Sequence, residues 1–283
     1  MLIGSLLSAC GPAQFNYLGP NNKSTADNNT ESIGAKDPLT CDPTTNTTPA
    51  VLGLTGSAYY LDSSQPRYDL STDYPKYGHK VTKPVELSQL FVPTRDPLAG
   101  FPLDNNQFLK DDLGNLLTVY YGLDLHSSIK LSDADAPGKY QFAIISDDGA
   151  ALSLANSQND YQTIVNNEHA HPSTMACATQ TVDMVNGALR VPMHLTYFEG
   201  PLVRISLILM WRRIPDNAGS SGLADVECGR GGDGYFFSWD GNSKTSVPLT
   251  AYQNLLARGW KPLNANNYEL TASQSLCPLS PAQ

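Results

Sequence analysis

The 283-residue sequence has few charged residues, and most of those it has are acidic. Lysine, arginine, aspartate and glutamate make up 16% of the chain, against roughly 25% in an average soluble domain. Eighteen basic residues against 27 acidic ones give a net charge of −9 at pH 7. Because the phosphates of nucleic acids require a basic surface, this balance excludes nucleic acid as a partner.

Long apolar runs and internal repeats are also missing. No run reaches the roughly 18–20 residues of a membrane-spanning helix, and no period of roughly 20–50 residues indicates a solenoid or propeller. The chain instead contains 41% hydrophobic residues, 22 glycines, 20 prolines and 14 tyrosines. This composition favours many short strands broken by turns and can form a sizeable core.

The chain opens with a short apolar stretch, residues 1–7, followed by Ser8, Ala9 and Cys10. The sequence LSAC at 7–10 resembles the lipobox of bacterial lipoproteins, in which the signal peptide is cut before the cysteine and the thiol is diacylated. The resemblance implies a lipoprotein signal over 1–10 with a truncated start, because no basic residue precedes the apolar stretch. It also implies a lipidated Cys10 and, because Gly11 follows, an outer-membrane location in the bacterial cell envelope. The alternative is an ordinary secretory signal with a chance cysteine.

Four further cysteines, Cys41, Cys177, Cys228 and Cys277, lie outside this segment. None has the C-x-x-C spacing typical of a zinc site. Export to an oxidising compartment favours disulfides, and four cysteines allow three pairings. Since Cys41 precedes the first strand pattern and Cys277 follows the last, we expect the pairs Cys41–Cys277 and Cys177–Cys228. Four free buried thiols are the alternative.

The composition changes sharply near residue 50. Residues 11–50 are rich in Asn, Thr, Ser and Pro and have no hydrophobic period. Such a segment cannot bury enough surface to offset its ordering entropy, so we expect a disordered polar tether. From Val51 onward, short apolar and Tyr-rich runs recur between turn residues, for example at 116–121. These runs predict a domain made of strands.

Two kinds of strand pattern and one helical pattern follow. Alternate residues are apolar in 140–144 and 191–195, the period of half-buried strands. The almost uninterrupted apolar run 202–211 predicts a central strand. Only Tyr252, Leu255 and Leu256 have helical spacing, and Gly259 follows them. The chain is therefore predicted to be all-β with a short C-terminal helical turn.

Four segments resemble the PA14 domain family, in the order in which that family has them. They are LTGSAYY at 54–60, GKYQFAIISDDGAAL at 138–152, VPMHLTYFEG at 191–200 and LILMW at 207–211. The resemblance covers about residues 51–215 and implies an antiparallel β-sandwich or barrel. Such domains occur in adhesins, glycosidases and toxins, frequently as carbohydrate-binding modules. Residues 216–283 are expected to form a C-terminal extension packed on this β domain.

The sequence Asp147-Asp148-Gly149 places two adjacent carboxylates on a tight turn. Neighbouring carboxylates repel unless a cation or hydrogen-bond donors compensate, and Ca²⁺ accepts oxygen ligands in flexible geometry. In the yeast adhesin branch of PA14 domains, a cis-linked Asp pair at this position holds Ca²⁺ that coordinates sugar hydroxyls. Glu199 stands where that branch has an asparagine ligand. The resemblance implies Ca²⁺ bound by Asp147, Asp148 and Glu199; the alternative is that the two aspartates cap turn amides and Glu199 locks the loop.

A polar loop carries a second group of candidate residues. Its Glu-His-Ala-His sequence has the residue types of a transition-metal site, but no other ligand is identifiable, so a surface loop is the preferred interpretation. By resemblance to the family, this segment flanks the binding face. The residues we expect to contact a ligand are Tyr161, Asn166, Asn167, Glu168, His169 and His171.

Two common catalytic motifs are absent: the sequence has no G-x-S-x-G or H-E-x-x-H pattern. The glycine-rich stretch 229–234 lacks the Lys-Ser/Thr of a phosphate loop and is interpreted as a turn that enters a strand. We therefore expect a non-catalytic, lipid-anchored module that binds carbohydrate or another surface polymer. The alternatives are an envelope lipoprotein that binds a protein partner in a structural or assembly role, and an accessory domain of a glycosidase-type enzyme.

Overall fold

The structure is a computed structural model that describes residues 51–270, except for residues 202 and 219 and the side chains of 220 and 221. Cys10, the expected tether and the expected Cys41–Cys277 pair lie outside the described residues. Within them, two short helices occur, α1 (Asp73–Tyr77) and α2 (Thr250–Ala257). Neither has the length or the apolar character needed to span a membrane.

Sixteen strands occur among the described residues. Numbered along the chain, they are β1 (Leu54–Tyr60), β2 (His79–Lys80), β3 (Val85–Leu87), β4 (Phe91–Arg95), β5 (Tyr121–Ile129), β6 (Gly138–Asp147), β7 (Ala150–Ala155), β8 (Tyr161–Asn167), β9 (Thr174–Cys177), β10 (Val182–Met184), β11 (Val191–Glu199), β12 (Ile205–Ile214), β13 (Phe237–Asp240), β14 (Thr245–Pro248), β15 (Lys261–Pro262) and β16 (Tyr268–Glu269).

These strands form two large antiparallel sheets and one hairpin. In the first sheet the order is β2-β1-β5-β11-β7-β8, with β3 paired to β1 and β16 paired to β5. In the second the order is β10-β6-β12-β15, with β4 paired to β12 and β9 to β6, while β13 and β14 form the hairpin. The predicted all-β, antiparallel sandwich is confirmed. The barrel half of that prediction is wrong, because neither sheet closes on itself within the described residues.

The main core lies between the two sheets and receives every second residue of the central strands. Leu195 and Tyr197 of β11 and Phe142 and Ile144 of β6 belong to one buried cluster. The intervening residues of β6, such as Ile145, belong to a second cluster on the outer face of the second sheet. Residues 191–195 of β11 are half-buried, as their alternating pattern predicted, whereas the half-buried interpretation of 140–144 is wrong, because β6 is buried on both faces.

The uninterrupted apolar run that predicted a central strand becomes β12. This strand lies between β6 on one side and β4 and β15 on the other. Leu207 and Leu209 pack in the core between the sheets, whereas Ile208 and Met210 pack in the outer cluster. A strand buried on both faces has no polar alternation, and this explains the composition of the run.

C-terminal residues cover the outer face of the second sheet. Tyr252 and Leu255 of α2 and the buried Trp260 complete the outer cluster, and the predicted helical turn is thereby confirmed as α2. The Trp260 indole N–H donates to Asp225 Oδ2 at 3.0 Å, which satisfies its polar atom. Farther along the chain, β15 pairs with β12 and β16 pairs with β5.

Two local elements differ from the sequence prediction. The run 116–121 is not a strand: β5 begins only at Tyr121, because Tyr120 takes a left-handed conformation with φ of 53°. The five-residue helix α1 was not predicted, since one turn is too short to show a helical period and Pro75 lies within it.

Candidate metal and ligand site

The end of β6 and the end of β11 meet at one edge of the sandwich. Asp147 is the last residue of β6, Asp148 and Gly149 form the turn, and β7 begins at the next residue. Strand β11 runs beside β7, and the Phe198 N–H donates to the Gly149 carbonyl at 2.8 Å. This register brings Glu199, the last residue of β11, beside the aspartate pair, whose peptide bond is cis.

Three carboxylates are buried together at this edge. Each of Asp147, Asp148 and Glu199 offers an oxygen within 4.8 Å of the others. Their exposed fractions are 3%, 5% and 0%. Among the described residues, no lysine or arginine forms an ion pair with any of them. Because buried negative charges must be compensated, these three carboxylates must bind either protons or a cation.

Asp148 is held by backbone amides. The His171 N–H donates to Oδ1 at 2.9 Å, and the Gly200 N–H donates to Oδ2 at 2.8 Å. This is the capping role that the alternative interpretation of the sequence gave to the aspartates. Each carboxylate oxygen can accept more than one bond, so these contacts orient Asp148 and leave it lone pairs for a cation.

Glu199 is left with an unsatisfied oxygen. The Tyr197 hydroxyl lies 2.7 Å from the Asp147 carbonyl oxygen and 3.0 Å from Glu199 Oε2, and it has one proton to donate. Glu199 Oε1 is fully buried and has no hydrogen-bond partner within the described residues. A buried acceptor without a partner is costly, so the cluster is incomplete without a further proton or a cation.

The electrostatics of the cluster favour protonation when no metal is present. Burial, followed by the nearby charge of Asp148, raises the pKa of Asp147 to about 8. Burial and the charges of Asp148 and Asp147 raise the pKa of Glu199 well above its usual value. Burial also raises the pKa of Asp148. A metal that binds here has to displace these protons, so its affinity increases with pH.

An open pocket lies directly over the carboxylates. It has a volume of about 370 Å³ and exposes Asp147 and Asp148 on its wall, whereas Glu199 does not line it. The remaining lining residues are Ala170, His171, Pro172, Pro201, Val203 and Asp233. The pocket therefore combines apolar walls with a cluster of hard oxygen atoms that lies partly beneath its surface.

Asp233 is a site residue that the sequence reasoning missed. It lies in the glycine-rich stretch 229–234, and its Oδ1 is buried without a hydrogen-bond partner. Gly231 packs against β9 so closely that a Cβ atom there would collide with Thr174 Oγ1 and the Ser173 carbonyl. Because of this close packing, Asp233 reaches the pocket. Nothing in the sequence links Asp233 to the distant Asp147-Asp148 pair.

The predicted Cys177–Cys228 disulfide is present and adjoins the same loop. Its Cα atoms are 5.6 Å apart, an ordinary separation for this bond. Cys177 ends β9 and Cys228 immediately precedes the glycine-rich stretch. The disulfide thus ties the loop that carries Asp233 to the strand beside the pocket.

The predicted ligand-contact residues divide into two groups. His171 lines the pocket. Asn167 instead holds the strands together, because its amide donates to Ser146 Oγ at 2.8 Å and to the Thr174 carbonyl at 2.9 Å. Tyr161 is at the opposite end of β8 from Asn167, and six residue steps along a strand span about 20 Å. Its ring lies beside His194, away from the carboxylates.

The remaining predicted residues anchor the loop. Ser71 donates through its backbone N–H and its hydroxyl to the Glu168 carboxylate. His169 Nδ1 lies 2.9 Å from Asp69 Oδ2. Asn166 accepts the Glu168 N–H. These contacts shape the wall of the pocket around His171.

The donor set fits a hard divalent cation. Carboxylate oxygens are the ligands that Ca²⁺ prefers, and its coordination shell accepts six to eight oxygens in flexible geometry. Three carboxylates, the carboxylate of Asp233 nearby and the unsatisfied Glu199 Oε1 match this preference. Three protein ligands leave coordination positions for oxygen atoms of water or of a molecule in the pocket.

Comparisons with known proteins find similarity only among solved structures. No protein-family model matches the chain, and no curated protein matches it. A PA14 sugar-binding domain from an RTX adhesin is 18% identical, with a TM-score of 0.38, over 57% of this chain and 90% of that one.

Two further structures give similar values. The A domain of epithelial adhesin 6 from Candida glabrata, solved with Galβ1-3GlcNAc, is 19% identical with a TM-score of 0.43, over 64% of this chain and 87% of that one. The PA14 domain of the antifreeze protein MpAFP is 16% identical with a TM-score of 0.39, over 62% of this chain and 89% of that one. At these TM-scores the similarity is coarse and assigns no ligand to this chain.

Proposed function

We propose that this protein is a non-catalytic PA14-like module that binds carbohydrate through Ca²⁺ held by Asp147, Asp148 and Glu199. One observation carries the proposal: three buried carboxylates lie at an open pocket, and among the described residues they have no basic partner and one of their oxygens, Glu199 Oε1, has no hydrogen-bond partner. A bound cation would supply positive charge that neutralises the cluster and coordination positions for ligand oxygens.

Each carboxylate has a distinct task in this proposal. Asp148 is oriented by the His171 and Gly200 amides and faces the pocket. Asp147 also faces the pocket, while Glu199 binds from the buried side. Hydroxyl groups of a sugar are neutral oxygen donors, and a neutral ligand adds no further negative charge to an acidic site.

The pocket suits a single sugar ring. Its volume of about 370 Å³ lies at the lower end of the roughly 300–1,000 Å³ of small-molecule sites. Pro172, Pro201 and Val203 offer apolar contacts to the C–H face of a ring, while Asp233 offers a polar group. Which sugar binds therefore depends on which ring shape these contacts accept with its hydroxyl groups placed next to the cation.

A glycan array tests this function. The wild-type chain is expected to bind one or more glycans in Ca²⁺ and to lose them in EDTA, and Glu199→Gln is expected to remove binding in both buffers. Asp160→Asn, which neutralises an exposed carboxylate in the turn between β7 and β8, serves as the matched control and is expected to bind normally.

The array also discriminates between the functions left open by the sequence. Binding that survives EDTA refutes the calcium mechanism. The absence of any bound glycan refutes carbohydrate recognition and favours a protein partner instead. Turnover of an arrayed glycoside refutes the non-catalytic assignment and favours the accessory role in a glycosidase-type enzyme.

The proposal includes display at the bacterial cell envelope. The lipobox-like sequence at 7–10 supports a lipid anchor at Cys10, and the polar composition of 11–50 supports a tether between anchor and module. An outer-membrane lipoprotein carrying a sugar-binding module would meet surface glycans or other polymers.

A further inference from the structure

A second cluster of metal-ligating side chains lies on the outer face of the first sheet. Asp124 and His126 are two residues apart on β5, and His194 stands opposite His126 on β11. Alternate residues of a strand point to the same face, so all three side chains project away from the core. The intervening Leu125, and Leu195 next to His194, are fully buried in the core on the other face.

The imidazole rings of His126 and His194 both point their Nε2 atoms at one oxygen of the Asp124 carboxylate. Asp124 Oδ1 lies 2.6 Å from His194 Nε2 and 3.0 Å from His126 Nε2. The two rings are parallel, with an interplanar angle of 1° and centroids 4.5 Å apart. The three ligand atoms lie within 4.8 Å of one another. They are therefore close enough together to share a single ion.

The cluster is accessible from solvent. The side chains of His126, Asp124 and His194 are 41%, 22% and 32% exposed. The aromatic edge of Tyr161 faces His194, with ring centroids 6.2 Å apart, and borders the cluster on one side. An ion can therefore enter from solvent and keep one face open.

We propose that Asp124, His126 and His194 form a binding site for a divalent transition metal, with Zn²⁺ as the preferred physiological ion. Two imidazole nitrogens and one carboxylate oxygen are common zinc ligands. The carboxylate cluster at the pocket has only oxygen donors and suits Ca²⁺ instead. The two sites therefore select different metals, and this proposal does not depend on the proposed function.

The three ligand atoms need to move only slightly to coordinate a zinc ion. Ligand atoms about 2.0–2.2 Å from a tetrahedral zinc ion lie about 3.4 Å from one another. The two nitrogen-to-oxygen separations of 2.6 and 3.0 Å therefore widen by less than about 1 Å, which exposed side chains achieve by small rotations. Three protein ligands leave the fourth zinc position to water or to a group from another molecule.

The chain contains its own control residues. His79 pairs with Asp62 at 3.0 Å, and His169 pairs with Asp69 at 2.9 Å. Each of these exposed pairs has the same two residue types with a single histidine. If a single histidine–aspartate pair were enough to bind zinc, replacing His79 or His169 would weaken zinc binding as much as replacing His126 or His194.

Titration calorimetry with Zn²⁺ tests the proposal. The full chain, without a purification tag, is stripped with EDTA, treated with iodoacetamide to block free thiols, and titrated in excess Ca²⁺. His126→Gln and His194→Gln are each expected to weaken zinc binding roughly tenfold or more, because a three-ligand site loses one ligand. His79→Gln and His169→Gln are expected to bind zinc like wild type, and melting temperatures in EDTA verify that every variant folds.

Co²⁺ supplies a readout of coordination that does not depend on the variants. Wild type is expected to give the intense visible absorption of four-coordinate cobalt, and His194→Gln to lose it. Equal zinc affinities in all five proteins, no heat above buffer dilution, or a weak six-coordinate cobalt spectrum in wild type would each overturn the assignment.

Discussion

Glu199→Gln is expected to have opposite effects on stability with and without calcium. Glutamine has nearly the shape of glutamate but no charge. Glu199 Oε1 is fully buried and has no hydrogen-bond partner in the part of the chain that the structure describes, and burial and the two aspartates raise the pKa of Glu199 well above its usual value. The side-chain amide of the introduced glutamine would donate to the neighbouring carboxylates, whereas Glu199 adds a third carboxyl group to the cluster.

The expected magnitude follows from the contacts that change. Leaving a buried polar group unsatisfied costs about 1–3 kcal/mol, so Glu199→Gln should raise the free energy of unfolding by about that amount in EDTA at pH 9. Calcium at 100 times its Kd stabilises wild type by about 2.7 kcal/mol. For a domain of this size, 1 kcal/mol shifts the melting temperature by about 2–4 °C, so calcium should raise the wild-type value by about 5–10 °C.

Thermal melts measure both effects. Wild type, Glu199→Gln and the exposed-site control Asp160→Asn are melted at pH 9 in EDTA and in excess Ca²⁺. In EDTA the variant should melt above wild type; in Ca²⁺ wild type should melt above the variant. A variant that melts below wild type in EDTA, or that keeps the full calcium shift, would refute the assignment of Glu199 as a buried ligand.

Three further predictions concern pH, capping and anchoring. Because the pKa of Asp147 is raised from 3.8 to about 8 in the folded protein, the contribution of this group to stability in EDTA should be fully present below about pH 4 and be lost as the pH rises to about 8; a wild-type protein that loses no more stability over that window than Asp147→Asn would contradict it. Asp148→Asn should lower the melting temperature in EDTA, since an amide nitrogen would face one of the two backbone N–H donors, and should lower it further in Ca²⁺, since a ligand of the ion is also lost; an unchanged melt in EDTA would contradict the capping contacts. Cys10→Ser should move the protein from the membrane to the soluble envelope fraction, whereas a membrane-bound variant would contradict the lipid anchor.

The strands and the helix that were predicted correctly are those that depend on a local pattern of residues. Alternating apolar residues located β6 and β11, although in β6 the intervening residues are buried as well, in the outer cluster. The spacing of Tyr252, Leu255 and Leu256 predicted α2. The position of Glu199 relative to the aspartate pair came from the resemblance to PA14 domains, and the structure places the three residues together.

What the sequence did not predict depends on contacts between distant segments. Asp233 reaches the pocket through the packing of Gly231 on β9, which no local pattern encodes. The pairing of His126 with His194 depends on the register of β5 against β11. Tyr161 was expected near the binding face by resemblance to the PA14 family, and the extended strand β8 places it about 20 Å from Asn167.

A crystal structure grown in calcium tests the central claim most directly. The account predicts one anomalous difference peak among the carboxylates, with oxygens of Asp147, Asp148 and Glu199 about 2.3–2.6 Å from it. A glycan identified on the array should then place hydroxyl oxygens on the same ion. A cluster without a peak, in which Glu199 is protonated and hydrogen-bonded to an aspartate, would contradict the account.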